Sequence, residues 1–375
     1  MKVEQLSLTD ASWHDVVPNI ELEASLLLLF ISPTFKGKEE LIKSLRKKFS
    51  NATIMGCSTA GEISDVKVND NTVSLTLVQL EKTTHNLEMV KVNSMDESFS
   101  AGITLAKKLQ AKDLQHVMVF SDGLNVNGAD LVSGLKSVLP NTSITGGLAG
   151  DSGNFSETFI VANDIITDKS IVGIGFYGSE LRVGFSSKGG WDSFGIDRLV
   201  TKSNKNVLYE LDGLPALELY KSFLGDNAKN LPSSGLLFPL SMRINDCDTP
   251  VVRTILGVNE KDQSLTFAGN IPEGSYVRLM KANIDRLIDG AEDSAKDACK
   301  ASNIDTQLAI LISCVGRRFV LKQLVEEEVE AVKEIVGVNT KITGFYSYGE
   351  IAPFGKYSPC ELHNQTMTIT TLSEC

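Results

Sequence analysis

The sequence predicts an α/β fold of duplicated βαβ-type modules, forming two related halves with a ligand crevice, and three observations carry that prediction. One pattern occurs three times, at residues 51–63 (NATIMGCSTAGEI), 141–151 (NTSITGGLAGD) and 339–351 (NTKITGFYSYGEI). Each copy sets Asn five residues before a Gly and Ile two before it, then adds a second Gly followed by a carboxylate. Recurrence of this kind marks a duplicated unit. An apolar run stands upstream of every copy, at 25–31 (SLLLLFI), 116–120 (HVMVF) and 307–312 (QLAILI), and reads as a short buried strand. Between run and copy comes a glycine-containing loop and then a helical pattern, at 40–49, 130–139 and 324–336. The order strand, helix, strand, glycine turn calls for parallel strands joined by crossover helices.

Taken along the chain, the first strand, helix and glycine turn are followed by residues 69–76, which lead into another strand. Residues 87–92 read as a strand and 97–111 as a helix with Ala101, Leu105 and Ala106 facing inward, ahead of the strand at His116. Residues 276–281 (YVRLMK), a helix over 285–301 and the strand at Gln307 repeat that order. The middle, 184–250, is richer in Gly, Asn, Asp and Pro and less periodic, so the boundary between an amino-terminal domain (1–200) and a carboxy-terminal domain (201–375) is placed there. Within it, 213–220 reads as a packing helix begun at Pro215, apolar at Leu217, Tyr220 and Leu224. The end alternates as a closing strand, with Met367 and Ile369 on one face and His363 and Asn364 at its entrance.

The chain has 375 residues, 42% of them hydrophobic and 22% charged, the balance of an ordinary globular protein large enough for two domains. Its formal net charge of −11 argues against a nucleic-acid surface, which needs clustered positive charge to displace phosphate counterions. The start, MKVEQLSLTD, has no apolar core of a signal peptide, and the run at 26–31 is too short to span a bilayer, so a cytoplasmic protein without membrane insertion is expected. Six cysteines without a Cys-x-x-Cys pair predict buried reduced thiols, not a zinc site or a disulfide framework.

Chemistry is sought first at the strand ends, where parallel α/β structures bind ligands. Glu62, Asp151 and Glu350 follow the three glycine turns; each is a candidate ligand group, against the simpler role of a local hydrogen-bond acceptor. His363 occupies the position that Asn69 holds in the first copy, and a histidine added to one copy of a repeat is a candidate ligand as much as a hydrogen-bonded core residue. Arg317 and Arg318 follow Gly316 at another strand end and offer a guanidinium for a carboxylate. Cys57 is a nucleophile only if a base stands beside it, and no Cys/His pattern supplies one. The common nucleotide, phosphate, serine-hydrolase and zinc-protease signatures are missing, which favours a non-enzymatic protein.

Residues 56–63 (GCSTAGEI), 146–151 (GGLAGD), 313–317 (SCVGR), 344–351 (GFYSYGEI) and 363–366 (HNQT) resemble the recurring motifs of FIST-domain proteins, in both the amino-terminal and carboxy-terminal segments, over nearly the whole chain. The resemblance implies a sensory ligand-binding protein of a signal-transduction system. Stand-alone bacterial members similar to nitric-oxide sensors bind haem and regulate a histidine kinase of a two-component system, or a cyclic-di-GMP enzyme, in trans. Carried onto this chain, it implies His363 as the metal ligand of a noncovalent haem b, Glu350 as the acceptor orienting its ring, Arg317 meeting a propionate, and Tyr346 and Tyr348 lining the pocket. The alternatives are a sensor of a small organic ligand such as an amino acid, without haem, and more remotely a thiol-dependent enzyme using Cys57.

Overall fold

The computed structural model describes residues 1–245, 250–354 and 358–375. It is an α/β protein in which the repeated module occurs three times, twice in the amino-terminal half and once in the carboxy-terminal half. Each module centres on a parallel strand pair: Leu26–Ile31 with Thr53–Ser58, Leu114–Ser121 with Ser143–Leu148, and Leu308–Cys314 with Lys341–Ser347. Crossover helices Lys38–Lys48, Gly128–Val138 and Val325–Val336 join the members of each pair. These six strands are almost wholly buried, which is why they read as continuous apolar runs and not as alternating patterns.

The three sheets share one strand order. In the first it is Lys2–Thr9, Thr72–Gln79, the parallel pair, then the hairpin Ile160–Ala162 and Ile165–Thr167. The second runs Thr84–Lys91, Ser170–Tyr177, the pair, then Gly349–Pro353 and Cys360–His363. The third runs Leu181–Lys188, Met367–Glu374, the pair, then Glu62–Ser64 and Lys67–Asn69. In every case the terminal hairpin comes from a different module. The first module lends its hairpin to the third, the third to the second, and the second to the first. At the centre Phe30, Phe120 and Phe345, one from each module, pack with ring centroids 4.8–5.7 Å apart in an apolar core.

The glycine turns hold this exchange together. Gly56, Gly146 and Gly344 pair in register with Leu29, Val119 and Leu311 of the neighbouring parallel strands. A β-carbon at any of them would lie 1.8–2.1 Å from the partner's carbonyl oxygen, so only glycine permits the approach. Beyond them the three turns meet one another: Gly150 N donates to Ser58 O at 3.0 Å, Ala60 N to Tyr346 O at 2.8 Å and Tyr348 N to Leu148 O at 3.1 Å. The repeated motif therefore closes a junction.

One sequence expectation is corrected here. The strand Tyr276–Lys281 does not repeat the role of the strand at residues 87–92. It pairs with Leu240–Arg243, Arg198–Asn204 and Asp192–Ser193, in an antiparallel body of its own. The third module's counterpart of Thr84–Lys91 is Leu181–Lys188, and the antiparallel body is inserted between that strand and the helix Ile284–Ser302. The inserted body has its own core of Val200, Leu208, Leu217, Tyr220, Leu240 and Phe267. Its helix Ala216–Leu224 starts after Pro215 and buries Leu217, Tyr220 and Leu224, as the sequence predicts.

Candidate functional site

The carboxylates of the glycine turns act locally. Glu62 accepts from Thr59 Oγ1 and from Thr72 N and Oγ1, and Glu350 accepts from Ser347 Oγ and from Thr366 N and Oγ1. Each thus ties its hairpin to the start of the long strand that follows. Burial pushes Glu62 up to about 7 and Glu350 up to about 8, against the hydrogen bonds that favour the charged form. Asp151 serves differently: it accepts from the backbone of Phe155, Ser156 and Glu157 and from the Tyr348 hydroxyl, and so fixes the loop after the second turn.

His363 pairs across the hairpin with Glu350, as Asn69 pairs with Glu62, so the alignment of these positions in the sequence is their alignment in space. The ring is fully buried and lies edge-on to Phe354 at 4.2 Å. Its Nε2 is 2.7 Å from Ala352 O; a carbonyl only accepts, so Nε2 carries the proton. The orienting acceptor is therefore the Ala352 carbonyl and not Glu350, whose oxygens are taken by Ser347 and Thr366. Burial lowers the His363 pKa to about 4, so the ring is neutral.

Arg317, expected to meet an anionic ligand group, is fully buried on Glu328, with its Nε 3.1 Å and Nη2 2.7 Å from Oε2. Its remaining donors take Gly189 O and Leu287 O. Tyr346 and Ser313 complete the shell of Glu328, at 2.5 and 3.1 Å from Oε1. Arg317 and Tyr346 thus form a closed network that fastens the entry of the inserted body to the third module. Arg318 pairs with Asp70 and caps Ala60 O. Of the five predicted site residues, Tyr348 borders a cavity.

These residues do not fit a haem. An axial imidazole needs a free nitrogen facing open space. Here Nε2 is occupied and the unpaired Nδ1 belongs to a fully enclosed ring. No group of three or more His, Cys, Asp or Glu residues suited to a metal occurs among the described residues. Cys57 is buried in the central apolar core with its thiol pushed well up, the reverse of an activated nucleophile.

Open space lies beside this network, where the inserted body meets the modules. A cleft of about 630 Å³ is walled by Leu236, Leu237, Ile255 and Leu256 on one side and by Phe319 and Phe155 on the other. Phe155, Leu237, Leu256 and Phe319 are each 36–42% exposed, a concentration of solvent-facing apolar side chains in one concavity. A second cavity of about 110 Å³, bordered by Tyr348, Gly128 and Gly269, shares Phe155 and Leu256 with it.

The segment 362–365 seats the inserted body against this cleft. Leu362 O accepts from Arg253 Nη1 at 2.9 Å, Asn364 Oδ1 from Thr254 N at 3.5 Å, and Gln365 O from Trp191 Nε1 at 2.8 Å. Gln365 Nε2 donates to the carbonyl of Leu236 in the cleft wall at 3.2 Å. Four buried atoms here have no hydrogen-bond partner among the described residues: Thr254 Oγ1, His363 Nδ1, Asn364 Nδ2 and Gln365 Oε1. Unpaired buried polar atoms are costly unless an ordered water satisfies them.

Family comparison agrees with the motif resemblance: the FIST N domain matches residues 25–214 and the FIST C domain residues 216–353. The chain belongs to the FIST family. FIST domains are signalling-associated sensor domains. An uncharacterized protein of Methanocaldococcus jannaschii is 25% identical to this FIST protein over 365 residues, covering 87% of this chain and 70% of its own. Among solved structures, the cyanuric acid hydrolase of A. caulinodans aligns with TM-score 0.40 and 6% identity over 100% of this chain and 99% of its own. A second cyanuric acid hydrolase structure aligns with TM-score 0.36 and 8% identity over the same shares. Both likenesses are too distant to bear on chemistry. Among the described residues, no helix is long and apolar enough to cross a membrane.

The sequence singles out His363 and not Asn364 and Gln365, which bond the inserted body at Thr254, Trp191 and Leu236. Phe155, an aromatic in a Gly-Asn-Phe loop just after the second turn, and Ile255 and Leu256, just beyond the aperiodic middle, were also missed. For Phe155 the available signal was an apolar side chain inside a loop; Ile255 and Leu256 belong to the strand Ile255–Asn259 and carried none.

Proposed function

We propose that this FIST protein is a sensor of a small organic ligand held, without haem, in the cleft between the three-module body and the inserted body, and that it acts on a signalling partner in trans. One observation carries this reading: an exposed apolar cleft of ligand size at the seam between two separately packed bodies. A ligand bridging that seam shifts the position of the inserted body by its differential affinity for the two arrangements. The inserted body also presents Ile196, Leu214 and Phe223 to solvent, a surface whose placement a histidine kinase or cyclic-di-GMP enzyme would read.

The test is a thermal-shift screen of small organic molecules on the wild type and on Leu256→Arg, which puts a charge into the cleft at a side chain 42% exposed. Ligands that raise the wild-type melting temperature and leave the variant unmoved are the expected result. Stabilisation that is equal in both proteins rejects the cleft. Haem titration serves as the counter-test: a saturable Soret change lost in His363→Ala would return the haem reading to first place.

A further inference from the structure

Resting on the cleft being the ligand site, we infer that its ligand is an apolar monocarboxylate, whose body fills the cleft and whose carboxylate meets Lys322 at the rim. Charge is the first constraint. Among the described residues Lys322 is the one charged residue lining the cleft; it is solvent-exposed, and no Asp or Glu lines the cleft beside it. The charges next to it in the chain are already matched: Arg318, on the same short helix, pairs with Asp70, and Glu326, on the next helix, pairs with Lys67. No hydrogen bond or ion pair engages the Lys322 ammonium among the described residues. It can therefore meet an incoming anion without giving up a protein partner, and at the rim neither charge has to leave water. One lysine balances one negative charge, and the chain's formal net charge of −11 opposes a second, which selects a monoanion over a phosphate dianion. A cationic ligand would meet the same lysine as a like charge.

The backbone at Lys322 is the second constraint. The residue follows the helix Val315–Leu321 with φ of 53° and ψ of −115°, a conformation that strains any residue with a side chain and suits glycine. The helix Ala216–Leu224 ends in nearly the same conformation, φ 55° and ψ −126°, and there the residue is Gly225. Packing does not offset the strain at Lys322, because the side chain is exposed, so the strain points to a use of its charge. The walls set the rest of the ligand. Ser233 is the one other polar side chain lining the cleft, and its hydroxyl already donates to Asn230 O at 2.6 Å. Phe319 is seated on Gly153, where a β-carbon would lie 2.4 Å from Phe319 Cζ, and Leu236, Leu237, Ile255 and Leu256 face it. Between such walls an apolar body leaves water without losing hydrogen bonds, whereas a polar one would lose them. The occupant is thus amphiphilic, apolar inside and anionic at the mouth.

Isothermal titration of the full chain with three probes sharing one alkyl chain tests this: octanoate (anionic), octan-1-ol (neutral) and octylammonium (cationic). Octanoate is expected to bind at least about threefold more tightly than octan-1-ol and at least about tenfold more tightly than octylammonium. Lys322→Gly removes the charge and suits the backbone at this position, so it should bring octanoate and octylammonium to within about twofold of each other, while Lys322→Arg should keep the preference. Octan-1-ol should lose binding in Leu256→Glu, which puts a charge into the apolar wall. If octan-1-ol or octylammonium binds the wild type as tightly as octanoate does, or if the preference survives Lys322→Gly, the carboxylate class is overturned, and loss of octan-1-ol in Leu256→Glu leaves the cleft standing. Octan-1-ol binding that is unchanged in Leu256→Glu, or no binding of any probe, overturns both. Far-ultraviolet circular dichroism of the variants, all altered at exposed side chains, confirms that they are folded.

Discussion

At the scale of single residues, the acids that look like ligands in the sequence are fasteners whose protonation is tied to folding. Glu62 and Glu350 have an ordinary value of 4.5 and titrate near 7 and 8 in the folded protein. Between these limits the native state holds protons that the unfolded chain has released, so stability falls as pH rises through the window and levels off above about 8. His363 contributes with the opposite sign, because burial lowers it from 6.5 to about 4, but only below 6.5. The interval from pH 6.5 to 8 therefore isolates the carboxylates. Urea denaturation across it should show a falling midpoint in the wild type and a flatter profile in Glu350→Gln; an unchanged slope would sink the assignment. Arg317 and Glu328 are both fully buried, so Arg317→Met leaves a buried charge unpaired and should cost about 3–5 kcal/mol by denaturant unfolding. Adding Glu328→Leu should recover most of that loss.

At the scale of elements, the glycine turns are required by strand spacing. Gly56→Ala, at a position without positive φ, places a methyl 2.1 Å from the Leu29 carbonyl oxygen, and overpacking of this kind costs about 1–3 kcal/mol or more. Gly213→Ala is a poor control, since its φ of 78° is strained in any L residue whatever the space. Gly257→Ala is a better one, because the nearest atom to its added carbon is 3.8 Å away. Comparing the melting temperatures of Gly56→Ala and Gly257→Ala separates close approach from ordinary loss of glycine; equal losses would contradict the packing argument. The same scale explains the strand at 276–281, whose pattern suits a strand in either body. Its partners are set by the insertion that separates it from Leu181–Lys188.

At the scale of the whole molecule, the exchange of hairpins makes the modules interdependent. The third sheet is completed by Glu62–Ser64 and Lys67–Asn69, and the second by Gly349–Pro353 and Cys360–His363. Cutting the chain at 214, between the two matched family segments, leaves each part with an unpaired sheet edge and an unplaced hairpin. Residues 1–214 and 215–375 expressed separately should each lack cooperative melting and fixed near-ultraviolet circular dichroism, and should regain both when co-expressed. A cooperative, monomeric melt of either part alone would show that the exchange is dispensable.

What the sequence determined by itself was local and periodic: buried parallel strands as apolar runs, crossover helices as amphipathic stretches, and the recurrence of a glycine turn whose spacing survives in all three copies. It also determined the correspondence of His363 with Asn69, since both follow from position within the repeat. The tertiary structure decided which module each hairpin joins, because strand pairing is non-local and hairpins of similar sequence fit similar edges. It decided too that Arg317 and Tyr346 face Glu328 and not a ligand, since a side chain's partner depends on elements far away in the chain. The cleft exists only where the inserted body lies against the modules. Its walls come from residues 153–155, 232–237, 255–256 and 319–322, which no sequence spacing brings together.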